Sequence, residues 1–206
     1  VGIETPDSSS TRAGLQVLRD DDLFSFTNCA EGASPTAGDD RAFTISFVYK
    51  QDRSPTGHFG HLSTQKILRK TSDQGMLVDP ESGEYQVTIQ TGIGSDGVRR
   101  AVIHFEIFDS SSGTSDLNDN CIRAMTSDEA SMGGNTVNTI NPDRLYHIAV
   151  TYDGSATPEG MRIYVDGVDA TIYRDTRGTY TAMQPTSANR LQLGASSDRK
   201  SVVRER

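Results

Sequence analysis

Residues 144–167 read RLYHIAVTYDGSATPEGMRIYVDG and contain two runs in which apolar and less apolar residues alternate. The alternating positions are Tyr146, Ile148, Val150 and Tyr152 in the first run and Met161, Ile163 and Val165 in the second. A period of two predicts two strands, each with one buried face. Asp166-Gly167 ends the second run and predicts a type I′ hairpin turn, which needs positive φ at both of its central residues.

The same period continues along most of the chain. It recurs in Phe43–Tyr49, Tyr85–Ile89, Ala101–Phe108 and Leu191–Leu193, and shorter candidates are Leu15–Leu18, Leu23–Thr27, Lys66–Arg69, Met76–Val78, Ile122–Met125 and Val168–Tyr173. About a dozen short strands separated by Gly, Pro, Asn and Asp turns are typical of a sandwich or jelly roll. We therefore predict an all-β jelly-roll sandwich of two packed antiparallel sheets, with little or no helix.

Length and charge narrow the classes of function. A chain of 206 residues predicts a single domain over 1–206, with irregular tails at 1–12 and 196–206. The net charge of −8 argues against nucleic acid as a partner, because nucleic acids are bound mainly through Lys and Arg. No apolar run approaches the roughly 20 residues of a membrane helix, so we do not expect the chain to span a membrane.

The chain has two cysteines, Cys29 and Cys121, and each lies beside a polar loop residue, Asn28 and Asn120. In an oxidising compartment they could form one long-range disulfide. The alternative is two free, half-buried thiols. The sequence leaves both alternatives open.

Four phrases along the chain carry a family resemblance. They are FTISFVYK at 43–50, LYHIAVTYDGS at 145–155, MRIYVDGV at 161–168 and LQLGA at 191–195. In this order they resemble the laminin-G-like branch of the concanavalin A-like lectin/glucanase superfamily, over about residues 40–195. The resemblance implies a jelly roll of two antiparallel sheets. It says little about activity, because this fold carries lectins, adhesion modules, glycosidases and structural subunits.

The chain departs from the family pattern in two places. Tyr146 stands where the family usually has Trp, which keeps an aromatic residue in the core. After LQLGA the family continues into a final strand, whereas this chain continues as SSDRKSVVRER, a polar and basic tail. The last strand is therefore missing, supplied by a partner, or replaced by the N-terminal segment.

The glucanases of this fold need two carboxylates about 5 to 5.5 Å apart on one strand face. The nearest pair here is Glu106 and Asp109, which point to opposite faces because they are three residues apart. No Glu-x-Asp-x-x-Glu array and no Gly-x-Ser-x-Gly elbow occurs. His58 and His61 lack a third zinc ligand nearby. These observations predict that the protein is not an enzyme.

Calcium is the metal that the sequence favours. Asp116, Asn118 and Asn120 fall at offsets 1, 3 and 5 of an oxygen-ligand loop, but Cys121 and Ser127 replace the Gly and Glu of an EF-hand. Laminin-G-like domains often hold one Ca²⁺ at a sandwich rim, so the resemblance implies a site formed by Asp109, Asp116, Asn118 and Asn120. The alternative is a polar loop that uses these side chains in Asx turns. We predict no other cofactor.

Aromatic side chains are the usual contacts for glycans, and this chain has no Trp. Tyr173 and Tyr180, which flank RDTRGT, are the predicted ligand contacts. We therefore expect a non-catalytic binding or adhesion module that recognises glycan or protein through loops at the sandwich rim. It would be extracellular or secreted, or lie in another non-cytosolic compartment or on a virion surface. The alternative is a structural or accessory subunit packed in a larger assembly, where an open sheet edge would accept a neighbour's strand.

Overall fold

The computed structural model describes residues 3–4, 15–17, 24–50, 63–72, 83–93, 99–109, 120–127, 140, 144–185 and 189–196. Within them lie twelve strands and one 3-10 turn at Pro158–Gly160. The strands are β1 Ile3–Glu4, β2 Leu15–Val17, β3 Phe43–Lys50, β4 Ser63–Ser72, β5 Gly83–Ile93, β6 Arg99–Phe108, β7 Cys121–Met125, β8 Leu145–Tyr152, β9 Met161–Val165, β10 Val168–Asp169, β11 Tyr173–Arg177 and β12 Asn189–Ser196.

These strands form two antiparallel sheets. The large sheet has eight strands in the order β1-β2-β12-β4-β5-β6-β7-β11, and the small sheet has four in the order β10-β9-β8-β3. Neighbouring strands pair antiparallel throughout. The predicted all-β sandwich is confirmed. Among the described residues, no helix has the length and apolar character needed to cross a membrane.

The core lies between the sheets and is built from the alternating apolar positions. Large-sheet residues Val87, Ile89, Phe105 and Ile107 face small-sheet residues that include Ile148, Val150, Met161 and Ile163, all of them buried. Phe43 lies at the centre of an aromatic group, with its ring stacked on Phe26 at 4.2 Å and edge-on to Phe105 and Tyr152. Tyr146, the residue at the usual Trp position, is buried as expected.

Both loops of the opening stretch have geometries that their residues require. Asp166 and Gly167 have φ of 50° and 81°, so the predicted type I′ turn between β9 and β10 is confirmed. The loop between β8 and β9 is packed tightly on itself. A Cβ at Gly160 would lie 2.0 Å from Asp153 Oδ1 and 2.5 Å from Ser155 Oγ, so only glycine fits there without a rearrangement.

The N-terminal segment completes the large sheet next to the last strand. β12 pairs with β4 on one side and with β2 on the other, and β1 pairs with β2. Of the three alternatives for the final strand, the structure therefore has the N-terminal one. Within the segment 1–12, which was expected to be irregular, Ile3 and Glu4 pair with β2 as strand β1. The 197–206 tail and the Met76–Val78 candidate lie outside the described residues.

Two other expectations need correction. Leu23–Thr27 was expected to be a strand, but its described part contributes only an isolated bridge between Thr27 and Asp40. Phe26 and the main chain beside it instead pack along the end of the sandwich, where Tyr85 donates its hydroxyl to Phe24 O at 2.9 Å. Val168–Tyr173 is divided between β10 and β11, which belong to different sheets.

We expect Gly160→Ala to lower the free energy of unfolding by about 0.5–1.5 kcal/mol, the usual value of one lost hydrogen bond. The added Cβ would displace the Asp153 carboxylate, which accepts a hydrogen bond from Ser155 N at 2.9 Å. Urea unfolding measures the effect. The control is a double-mutant cycle with Asp153→Ala: once the carboxylate is removed, Gly160→Ala should be much less harmful. Equal losses in both backgrounds would contradict this explanation.

Candidate functional site

Several chain segments meet at one end of the sandwich, which we call the rim: residues 36–42 before β3, 153–160 between β8 and β9, 178–183 after β11, and Asp109 and Asn120 at the ends of the β6–β7 loop. Gly154 packs on the segment before β3, since a Cβ there would lie 3.1 Å from Ala42 N. The rim therefore joins strands of both sheets.

The side chain that connects these segments is Asp40. Its Oδ2 accepts hydrogen bonds from the hydroxyls of Tyr152 at 2.7 Å and Tyr180 at 2.6 Å. Its Oδ1 accepts the backbone N–H of Met183 at 2.8 Å. The Tyr152 hydroxyl in turn accepts the backbone N–H of Ala156 at 2.7 Å. One buried carboxylate thus holds β8, the β8–β9 loop and the segment after β11 in fixed positions.

The electrostatics of this network follow from its burial. Desolvation raises the pKa of Asp40, although the hydrogen bonds from Tyr180, Tyr152 and Met183 oppose that change, and the nearby charge of Asp109 adds to it. Burial and the Asp40 carboxylate both raise the pKa values of Tyr152 and Tyr180. Both tyrosines are therefore neutral at ordinary pH and act as hydrogen-bond donors.

Two of the four predicted calcium ligands lie in the described part of the rim. Asp109 and Asn120 are brought together at the base of the β6–β7 loop, where Asp109 N donates to Asn120 O at 3.0 Å. Each also anchors the segment after β11: Thr181 N donates to Asp109 Oδ2 at 3.0 Å and Thr179 N to Asn120 Oδ1 at 2.7 Å. Asp116 and Asn118 lie outside the described residues, as do His58 and His61.

The described residues alone do not complete a metal site. Within these ranges, no three His, Cys, Asp or Glu side chains are grouped so that they could hold an ion. Ca²⁺ takes six to eight oxygen ligands. Calcium binding at the predicted residues therefore stays a prediction.

The two predicted ligand-contact tyrosines have different surroundings. Tyr180 is half-buried, packs against the core and donates its hydroxyl to Asp40. Tyr173 is half-buried on β11, where its ring lies 6.0 Å from the Arg123 guanidinium. Neither is a fully exposed ring, and their role in ligand binding stays a prediction.

In the structure Cys29 and Cys121 are both buried and are not joined to each other by a disulfide. Their surroundings differ. Burial raises the pKa of Cys29, with further contributions from the rim carboxylates Asp39, Asp109 and Asp40. Burial and Glu106 raise the pKa of Cys121 to about 12, against the effect of nearby arginines. Both thiols are therefore protonated at neutral pH and are poor nucleophiles.

The face of the large sheet that points away from the core has a row of polar residues, which we call the polar ladder. Its members pair in register across six neighbouring strands: Gln192, Arg69, Gln86, Glu106, Arg123 and Asp175. Gln86 Nε2 donates to Glu106 Oε2 at 2.6 Å, and Arg123 holds Asp175 in a bidentate pair. Cross-strand pairs of this kind stabilise a sheet.

Glu106 belongs to the polar ladder, and its contacts differ from those of the carboxylate pair that glucanases use. Burial raises the pKa of Glu106, while its hydrogen bond with Gln86 and the charge of Arg123 oppose that change. Asp175 lies one strand beyond Arg123, which engages both of its carboxylate oxygens. Asp109 points elsewhere, into the rim. These contacts make Glu106 part of the framework of the sheet.

A shallow groove lies beside the rim, at the end of the small sheet where β3 begins and β8 ends. It has a volume of about 650 Å³. It is lined by Ala42, Phe43, Thr44, Thr151, Tyr152, Asp153, Glu159, Gly160 and Arg162. Clefts that hold small ligands typically measure about 300–1,000 Å³ and combine apolar surface with a few polar groups. The groove has both properties.

Comparison with known protein families supports the fold assignment. The laminin-G family model described as the concanavalin A-like lectin/glucanases superfamily matches residues 30–203. The chain therefore belongs to this superfamily, as the four phrases indicated. Comparison with curated proteins gives no match.

Sequence reasoning missed Asp40 and the groove. Asp40 lies in GDDRAF, an unremarkable turn, and its partners Tyr152, Tyr180 and Met183 are 112, 140 and 143 residues away. In the sequence around Asp40, the one feature that could have drawn attention to it is the polar stretch GDDR directly before the strand that begins at Phe43. Such a stretch is equally typical of a solvated loop. The groove was missed because its lining comes from three strands whose register cannot be seen in a single run of sequence.

We expect Tyr180→Phe to destabilise the protein by about 1–3 kcal/mol at about pH 7, because a buried carboxylate loses one donor. The pKa of Asp40 is higher in the folded than in the unfolded protein. Asp40 therefore contributes to stability at a pH below its unfolded pKa, and this contribution is lost as the pH rises through its folded pKa. Removing a donor raises the folded pKa further. The loss should therefore be smaller at about pH 4 than at about pH 7.

Urea unfolding at the two pH values checks this, with Tyr164→Phe as the matched control. Tyr164 is a half-buried tyrosine on the outer face of the small sheet, and its loss of a hydroxyl should change stability by less than about 0.5 kcal/mol. A Tyr180→Phe effect that is the same at both pH values would contradict the assigned role of Asp40.

We expect Arg123→Met to lower stability by about 3–5 kcal/mol, because it removes the cation that pairs with the Asp175 carboxylate and one of the two arginines whose charge favours ionised Glu106. The control is Arg144→Met, which breaks the exposed Arg144–Asp166 pair and should cost about 0–1 kcal/mol. Chemical denaturation measures both. Equal effects of the two substitutions would mean that the polar ladder is no stronger than a surface ion pair.

Proposed function

We propose that the chain is a non-catalytic binding module that recognises glycan or protein through the rim loops. The observation that carries this proposal is the Asp40 network, which fixes three segments from both sheets at one end of the sandwich. Rigid presentation of loops by a sandwich lowers the entropy lost on binding. Superfamily membership supports the same class, since domains of this kind are commonly binding modules.

The non-catalytic part of the proposal rests on the position of Glu106. Its nearest same-face neighbours along β6, His104 and Phe108, are not acids, and its cross-strand partners are Gln86 and Arg123. A retaining glycosidase needs a second carboxylate about 5 to 5.5 Å away. The contacts of Glu106 favour a structural role.

A calcium ion at the β6–β7 loop is the proposed cofactor, with Asp109, Asp116, Asn118 and Asn120 as ligands. Negative charge is concentrated around this position, since Asp39, Asp40 and Asp109 all raise the pKa of Cys29. A bound cation would offset their mutual repulsion. An extracellular or secreted location, where calcium is abundant, is part of this proposal and agrees with the usual location of laminin-G-like domains.

The second candidate function is a structural or accessory subunit of a larger assembly. The observation that favours it is a pair of exposed apolar side chains on the outer face of the small sheet. Val48 is 67% exposed and Leu145 is 63% exposed, and they occupy diagonal positions on neighbouring strands. They lie at the end of β3 and the start of β8, away from the rim. Exposed apolar surface of this kind is typical of contacts between proteins.

One experiment separates the two candidates: light scattering and thermal unfolding of the chain, with calcium and with a chelator. The binding module should be a monomer whose melting temperature rises by about 5–10 °C when calcium is present at about 100 times its Kd. Asp109→Asn should abolish this rise while leaving the calcium-free melting temperature nearly unchanged, because an Asn oxygen can still accept the Thr181 N–H.

Glu159→Gln removes the same charge from an exposed position and should leave the calcium response intact. A chain that associates and is indifferent to calcium would favour the subunit candidate. A monomer that is indifferent to calcium would remove calcium from the proposal and leave Asp109 and Asn120 as anchors of the segment after β11.

A further inference from the structure

The groove beside the rim is lined by polar groups that converge from three strands. Thr44, Thr151 and Arg162 pair in register on β3, β8 and β9, so their side chains lie in one row on the outer face of the small sheet. Asp153 and Glu159, from the β8–β9 loop at the end of these strands, also line the groove. The groove thus offers hydroxyls, carboxylates and one guanidinium within a single depression.

Two polar groups of the groove, the Asp153 carboxylate and the Arg162 guanidinium, are held by contacts within the protein. The Asp153 carboxylate accepts hydrogen bonds from Ser155, and these lower its pKa, so Asp153 is ionised at neutral pH. The absence of a Cβ at Gly160 leaves the space that the Asp153 carboxylate occupies. Arg162 donates to the backbone oxygens of Glu159 and Met161, and its Nε lies 3.7 Å from Asp169 Oδ2.

An aromatic ring lies next to this row. Tyr164 is two residues from Arg162 on the same face of β9, about 7 Å along the strand. On one side it pairs with Ala149, which pairs with Ser46, so the row carries short side chains there, and on the other side it pairs with Asp169 of β10. A ring with small neighbours beside a polar row can contact the apolar face of a ligand whose edge makes hydrogen bonds.

The charges around the groove favour a neutral ligand. Asp153, Glu159 and Asp169 carry three negative charges, against two positive charges on Arg162 and the nearby Arg174. The whole chain carries a net charge of −8. A sulfated or otherwise anionic ligand would be repelled. A cationic side chain entering the groove would meet the guanidinium of Arg162.

We propose that this groove binds a neutral saccharide, with Thr44, Thr151, Asp153 and Glu159 hydrogen-bonded to its hydroxyls and Tyr164 against its apolar face. Ionised carboxylates accept two or more hydrogen bonds and are well suited to neighbouring hydroxyl groups. This inference rests on the glycan alternative of the proposed function, and it places the ligand on the outer face of the small sheet beside the rim.

The test is a titration of the ¹⁵N-labelled chain, followed by NMR, with three kinds of probe. These are neutral oligosaccharides of glucose, mannose and galactose, a heparin-derived sulfated oligosaccharide, and a tetra-lysine peptide. At least one neutral oligosaccharide should shift the amide signals of Thr44, Thr151, Gly160 and Tyr164 in a saturable way. The sulfated oligosaccharide should not.

Thr151→Val and Tyr164→Ala should each weaken the binding of that oligosaccharide about tenfold, the effect expected for one lost hydrogen bond or ring contact. Thr176→Val, an exposed threonine on β11 of the other sheet, is the matched control and should leave the affinity unchanged. Thermal unfolding of all three variants shows that they are folded.

Three results would overturn the inference, and they bear differently on the proposed function. Shifts at the groove with tetra-lysine alone would assign it to a basic segment of a protein partner. Saccharide shifts confined to residues 39–41 and 178–183 would keep the rim-loop module and reject the groove. The absence of shifts with all probes would reject the groove as a saccharide site, while the calcium and light-scattering measurements still decide the module.

Discussion

The buried carboxylate of Asp40 is the contact on which the rim depends. It stands just before β3 of the small sheet and accepts hydrogen bonds from Tyr152 of the same sheet and from Tyr180 and Met183, which follow β11 of the large sheet. A sandwich is held together mainly by apolar contacts between its inner faces, and these do not specify how the connecting loops lie. At this end of the molecule the Asp40 carboxylate, surrounded by hydrogen-bond donors, fixes how the loops lie.

Burial of a carboxylate is unfavourable unless donors replace the lost water. Here two phenol hydroxyls and one amide do so, and the pKa of Asp40 is still raised. The network therefore contributes to the specificity of the fold, because any rearrangement of the rim would leave the carboxylate with too few donors. The polar ladder also adds specificity, on the outer face of the large sheet. There it places amide, cationic and anionic side chains opposite one another across six strands.

The proposed ligand site lies apart from the polar ladder, on the outer face of the small sheet. This face combines the groove at one end with the exposed Val48 and Leu145 at the other. The groove residues Asp153 and Glu159 are exposed, whereas Glu106 and Asp40 are buried and hydrogen-bonded within the protein. The superfamily supports many activities on one framework, so the function of a member has to be argued from its own polar groups.

The sequence by itself determined the strands, the type I′ turn and the fold class. These follow from alternation within 5 to 10 residues and from the φ preferences of Asp166 and Gly167, which are local properties of the chain. Family phrases then predicted the sandwich. Only the tertiary structure decided the partners of Asp40, the surroundings of Tyr180, the position of the N-terminal strand beside β12 and the row that joins Thr44, Thr151 and Arg162. Each of these depends on which strands lie side by side and in which register, and residues more than a hundred positions apart carry no local pattern that reveals it.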